Sequence, residues 1–151
     1  MAGNPAFQQI FVSVTPPQAI VDNASWTTGE VDTVDATYGK AAFTNYYIYF
    51  GAMDIAVAAL QVTESDTSGS GHANITGATF GTLPSATSDN TCWCIAIRND
   101  ASRKRYYDLT LTGGDGAAGT YATVWAFNCF PTLQPTSATG LGLGGLTSIG
   151  H

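Results

Sequence analysis

Apolar and polar residues alternate with a period of two in short stretches along this chain, and turn-forming residues close each stretch. Such runs cover 7–14, 19–26, 42–50, 60–64, 73–80, 91–98, 105–112 and 120–130. They close in turn at Pro16-Pro17, Thr28-Gly29, Gly51, the SDTSGSG stretch, Gly81 and Pro84, Asn99-Asp100, GGDGAAG and Pro131. Successive side chains on a strand face opposite ways, so this period sets one face against a core and the other toward water. About eight strands with turn punctuation predict an all-β sandwich, barrel or jelly roll.

One stretch, NYYIYFGAMDIAVAALQVTESD from Asn45 to Asp66, reads two ways. A helix from Asp54 would put Ile55, Ala59 and Val62 on one face. It would have to end within Gln61-Val62-Thr63, where β-branched residues favour a strand. The segment is therefore read as a strand over 42–50, a bend over 51–54 and a second strand over 57–64, with at most one helical turn at 54–58.

The last segment, 131–151, contains no Asp, Glu, Lys or Arg and carries Gly140, Gly142, Gly144, Gly145 and Gly150. So much glycine disfavours regular structure, yet Leu141, Leu143, Leu146 and Ile149 are too apolar for a plain solvated linker. Either an arm orders against a neighbouring subunit, or the end is frayed. The division expected is a single sandwich domain over 1–130 and a C-terminal arm over 131–151.

Composition agrees with strands. The chain has 151 residues, of which 44% are hydrophobic and 11% charged. That charged share is roughly half the usual one of about 25%. Disorder needs high charge and few aromatics, so it is disfavoured. A net charge of −6 argues against nucleic-acid binding. The start, MAGNPAFQQIF, lacks the basic and apolar regions of a secretory signal, and the longest apolar run, 55–60, is too short for a membrane span. Cys92, Cys94 and Cys129 cannot form a closed disulfide set, which points to synthesis in a reducing compartment.

Candidate chemistry is thin. Glu64 and Asp66 are two apart on a strand, a separation near that of glycosidase carboxylates, but Asp66 opens a Ser/Gly turn and Glu64 ends a strand. DTSGSG resembles the start of a calcium loop, but its twelfth position is Gly77 instead of a bidentate Glu. GGDG at 113–116 has too few carboxylates, and both stretches read as hairpin loops. The three cysteines with His72 and His151 do not make a closed zinc set, and they are expected to meet in the core as small apolar side chains. No catalytic residue, metal or cofactor is expected. Charge placement says more. Arg98, Arg103, Lys104 and Arg105 hold four of the five basic residues, while Asp22, Glu30, Asp32 and Asp35 form an acidic stretch. Either these are complementary patches that close a ring of identical subunits, or they are ordinary solvated loops.

The stretches FGAMDIAVAALQVTESDTSGSG, ANITGATF, LPSATSDNTCWCIAI and RKRYYDLTLTGGDGAAGTYATVWAF, followed by an apolar glycine-rich end, resemble small structural proteins of tailed bacteriophages. The likeness is to capsid decoration (cement) proteins with a jelly-roll or related sandwich fold, and it runs from 43 to 130. Its motifs are strand and hairpin patterns, with no catalytic signature to carry over. The resemblance implies a virion protein made in the bacterial cytoplasm that sits outside the head. It implies a homotrimer at threefold positions, with the major capsid protein as partner and neither membrane nor nucleic acid bound. The contact residues expected from charge and apolarity are Glu30, Asp32, Asp35, Arg98, Arg103, Lys104, Arg105, Leu141, Leu143, Leu146 and Ile149. Rival readings are a lectin-like host-binding module, which a shallow groove ringed by solvent-facing aromatics would favour, a head–tail connector component, and a glycan hydrolase using Glu64 and Asp66.

Overall fold

The alternating runs become strands because every second side chain of one sheet meets its counterpart from another. A computed structural model describes residues 9–117, 119–130 and 145–149. They form β1 (Gln9–Ile20), β2 (Ser25–Thr27), β3 (Val31–Asp32), β4 (Val34–Asp35), β5 (Gly39–Lys40), β6 (Phe43–Met53), β7 (Ala59–Ser65), β8 (Ala73–Asn74), β9 (Thr91–Arg98), β10 (Tyr106–Thr112), β11 (Thr120–Cys129) and β12 (Gly145–Ile149). No helix occurs among the described residues.

The first sheet runs β1-β11-β6-β9-β12 and the second β2-β10-β7-β8, with β3 also paired to β10; β4 and β5 form a separate hairpin. Twelve strands form among the described residues where about eight were expected; β1, β2 and β6–β11 carry the two main sheets. Counted along the chain, these eight read first-eighth-third-sixth and second-seventh-fourth-fifth. That is the order of a jelly roll, two Greek keys shared between two sheets. Between the sheets Tyr46, Ile48, Phe50, Ile95, Ile97 and Val124 of the first pack in one cluster with Leu60, Val62, Tyr107, Leu109 and Leu111 of the second. A chain of hydrogen bonds crosses one end of this core. Tyr107 Oη donates to Asn99 Oδ1 (2.8 Å), Asn99 Nδ2 to Thr44 Oγ1 (2.9 Å) and Thr44 Oγ1 to Asn128 Oδ1 (2.8 Å).

The ambiguous segment is two strands joined by a non-helical bend. Its amides bond to other segments: Asp54 N to Gly119 O, Val57 N to Pro84 O and Ala58 N to Thr112 O. Those partners take the donors a helical turn would have used.

Several boundaries depart from the alternation. β1 continues through Pro16-Pro17, where a strand end was expected, because β1 is an edge strand and its register shifts between Thr15 and Gln18. Proline is tolerated at such an irregularity, where no ladder hydrogen bond depends on its nitrogen. The expected strand over 19–26 is cut by left-handed Asp22 and Asn23. Over 73–80 only Ala73–Asn74 pairs as a strand, although Ile75, Ala78 and Phe80 are buried. There the Gln61 side-chain amide donates to Val62 O, Ile75 O and Ala78 O, replacing a ladder with a looped segment.

The C-terminal stretch differs most. Residues 145–149 pair in parallel with β9 of the same chain, where an arm reaching a neighbour was the expectation. The edge of β9 offers unpaired amides and carbonyls close at hand, and a short strand satisfies them. Ile149 packs on the core, and Thr147 Oγ1 donates to Thr79 O (3.0 Å). A Cβ at Gly145 would overlap the Trp93 ring, so glycine lets the two strands approach. Leu141 and Leu143 lie outside the described residues.

A candidate interaction surface on the outer sheet

β11 places Ala122, Val124 and Ala126 inward and Tyr121, Thr123, Trp125 and Phe127 on the other face. A half-buried strand normally turns polar residues outward. This one is apolar on both sides. Its neighbour β6 adds Tyr47 opposite Trp125 and Tyr49 opposite Thr123, and β9 adds Cys94 opposite Tyr47 and Cys92 opposite Tyr49. Leu146 of β12 stands opposite Cys94.

The result is an aromatic sheet face open to solvent. Tyr49 is 43% exposed, Tyr121 47% and Trp125 51%. Two adjoining shallow grooves cross it. The first, about 310 Å3, is lined by Tyr47, Tyr49, Cys92, Thr123 and Trp125. The second, about 340 Å3, shares Tyr49 and Thr123 and adds Pro17, Gly51, Ala52 and Tyr121. None of these residues carries a charge at neutral pH. Two of the polar side chains there are already engaged: Thr123 Oγ1 donates to Thr15 O, and Tyr49 Oη to Asn90 Oδ1 (3.3 Å). The Tyr47 and Phe127 rings meet edge to face at 5.9 Å.

Burial favours the neutral forms of Tyr47 and the three cysteines. It pushes the Tyr47 phenol and the Cys94 thiol up to about 12 and the Cys129 thiol to about 11, and it raises the Cys92 thiol as well. A thiol nucleophile requires the opposite shift. All three cysteines are free. Cys92 and Cys94 share a face as their spacing implies, but it is the outer one, and the cluster between the sheets contains none of the three. Cys94 and Cys129 are nonetheless buried and Cys92 half-buried, and the three meet around Tyr47 as small apolar side chains, as expected, but outside the cluster between the sheets. The strand parity that turns Trp93 and Ile95 inward turns Cys92 and Cys94 out.

Among the charged residues singled out in the sequence, Asp32 and Arg105 meet within the chain. β3 pairs with β10, setting Asp32 opposite Tyr106 and so beside Arg105. Arg105 grips Asp32 with two bonds, Nε to Oδ1 (2.9 Å) and Nη2 to Oδ2 (2.7 Å), and its guanidinium lies 5.0 Å from the Tyr106 ring centre. The Arg105 hydrogen bonds hold the Asp32 carboxyl below its ordinary range. Arg103 Nη1 donates to Glu64 Oε1 (3.1 Å) and the Lys104 amide to Glu64 Oε2 (3.0 Å). Asp35 accepts from the amides of Thr37 and Tyr38, shaping the β4–β5 turn. Glu30 accepts from Ser68 Oγ (2.5 Å) and Gly69 N (2.7 Å). Arg98 ends β9 exposed, and Asp66 is exposed at the head of the 67–70 turn.

Reasoning from the sequence passed over Tyr49, Tyr121 and Trp125 as individual residues. The available signal was the run Tyr121-Ala-Thr-Val-Trp-Ala-Phe127, which has no polar face at all. No protein-family model, curated protein or solved structure matches the chain.

Proposed function

We propose that this chain is a virion structural protein, a decoration protein of a tailed-phage head that acts as a homotrimer on the outer surface of the shell. The observation that carries the reading is the uncharged aromatic face of the first sheet. Monomeric proteins rarely leave a contiguous apolar patch of this kind in water. We assign its occupant as neighbouring copies of the same chain. Depletion of charge at the centre of a contact, with Tyr, Trp and Phe enriched, is the composition of an interface between permanent partners. The charged loops around Arg98, Arg103 and Lys104 then remain for the major capsid protein. Binding the assembled shell and not its separated subunits stabilises the shell by mass action.

The jelly roll is compatible with this role and also with lectins, so fold alone does not choose. A glycan-binding module is the second reading, favoured by the grooves ringed with Tyr49, Tyr121 and Trp125. Sugar hydroxyls demand several convergent donors and acceptors, and the grooves have few to offer. Protein contact fits better.

Cryo-electron microscopy of virions carrying a tagged copy of the chain tests the proposal. Tag density at local threefold positions on the head is expected. Density confined to the tail or to the portal vertex would replace the reading with host binding or with a connector role.

A further inference from the structure

On the outer face of the second sheet, three side chains from three separate segments converge. Glu30 comes from the loop between β2 and β3, His72 from the loop before β8, and Asp108 from the middle of β10. Their donor atoms all lie within 4.8 Å of one another. His72 Nε2 stands 3.2 Å from Glu30 Oε2 and 3.4 Å from Asp108 Oδ2. We propose that Glu30, His72 and Asp108 form a site for a divalent transition metal, with zinc the best match, which clips both loops to β10.

The spacing suits zinc. Two ligands each about 2.0–2.2 Å from a tetrahedral ion stand about 3.3 Å apart, close to both His72 distances. Glu30 approaches on a loop, so the remaining edge can shorten without moving a strand. One imidazole and two carboxylates leave a fourth position for water, as in open zinc sites.

Asp108 supplies the independent observation. Its Oδ1 has no accessible surface and accepts no hydrogen bond, although the residue lies on a rigid strand. Its Oδ2 faces the same imidazole nitrogen that Glu30 faces, and one Nε2 proton cannot fully serve two carboxylates. A carboxylate oxygen enclosed with so little compensation is costly, and a divalent ion would supply the missing charge. The surrounding contacts are those that orient metal ligands. Ser68 Oγ and Gly69 N bond to Glu30, while Thr63 Oγ1 stands 3.4 Å from His72 Nδ1, leaving Nε2 to ligate.

A metal was not expected from the sequence, because that reading looked for thiols and glycine loops with local spacing. These ligands are far apart in the chain and meet through the sheet. The test uses untagged full-length protein stripped with chelator, then titrated calorimetrically with Zn2+, Co2+, Ca2+ or Mg2+. One Zn2+ per chain is expected, with Ca2+ and Mg2+ bound far more weakly. At a hundredfold excess over Kd, zinc should raise the melting temperature by roughly 5–10 °C. Co2+ should give the visible bands of a four-coordinate ion without thiolate charge transfer. His72→Ala and Glu30→Gln, both in loops outside the strands, should each abolish the temperature shift. Absence of zinc binding would overturn the proposal. So would binding that survives both substitutions, or that shows thiolate absorption from the cysteines.

Discussion

Replacing Trp125 by Ala tests the assigned interface at its most exposed ring. A tryptophan side chain offers up to about 250 Å2, and Trp125 is 51% exposed, so on the order of 125 Å2 remains for a partner to cover. At about 25 cal/mol per Å2 this is about 3 kcal/mol per subunit, or about 9 kcal/mol for three. Each 1.4 kcal/mol is a factor of ten, so the trimer dissociation constant would rise by six to seven orders of magnitude. That constant has units of concentration squared, so the midpoint concentration moves by about three orders. This is an upper bound, because association retains only a surplus over its ordering and desolvation costs. The fold should barely respond. The ring lies outside the cluster between the sheets, and losing its cross-strand partner Tyr47 costs about 0.2–1 kcal/mol. Sedimentation velocity over nanomolar to high micromolar concentrations reads the midpoint, and a urea melt reads the fold. A trimer that dissociates at the same concentration with and without Trp125 would refute the assigned contact. A wild-type chain that stays monomeric throughout would refute the trimer itself.

Three other outcomes follow from the packing. Gly145→Val should drive β12 off β9, seen as faster hydrogen exchange of the amides that pair the two strands, because its side chain would occupy the space of the Trp93 ring; unchanged protection would show that the ring can move aside. Tyr107→Phe should cost about 1–2 kcal/mol in urea unfolding, since it leaves the buried Asn99 Oδ1 without its donor; a neutral result would mean that Asn99 finds another partner. Stability should fall as pH rises above about 9, measured by melts from pH 7 to 11. The unfolded chain loses thiol and phenol protons near their ordinary values of 9.0 and 10.0, while the fold keeps those of Tyr47 and Cys94 until about 12. Fewer protons bound in the unfolded state favours unfolding, so a flat profile over that window would contradict the burial of these groups. In the same range Cys92, the partly exposed thiol, should alkylate before Cys94 and Cys129.

Strand identity is a local property, and most of it was legible in the sequence. The period-two runs at 91–98 and 105–112 became β9 and β10 within a residue, because alternation and β-branched content act over neighbouring positions. The number of strands was underread, about eight being expected and twelve formed among the described residues, because short pairings such as β3 with β10 and β4 with β5 leave no period of their own. Pairings that join distant residues could not be read this way. Proline stopped no strand at 16–17, because only sheet order reveals that β1 lies at an edge. The chargeless end looked like an arm because glycine hides the contact that defines it, Trp93 lying across Gly145. The acidic and basic stretches read as complementary patches between identical subunits or as solvated loops, and only β3 pairing with β10 shows Asp32 meeting Arg105 of its own chain. The same holds for both candidate sites. Alternation shows that Trp125 and Val124 face opposite ways, but which face meets the other sheet is decided by packing. Glu30, His72 and Asp108 share no motif, since the sheet alone brings them within reach. Local propensity is written residue by residue along the chain. Proximity is decided by which strands lie side by side, and that depends on all of them at once.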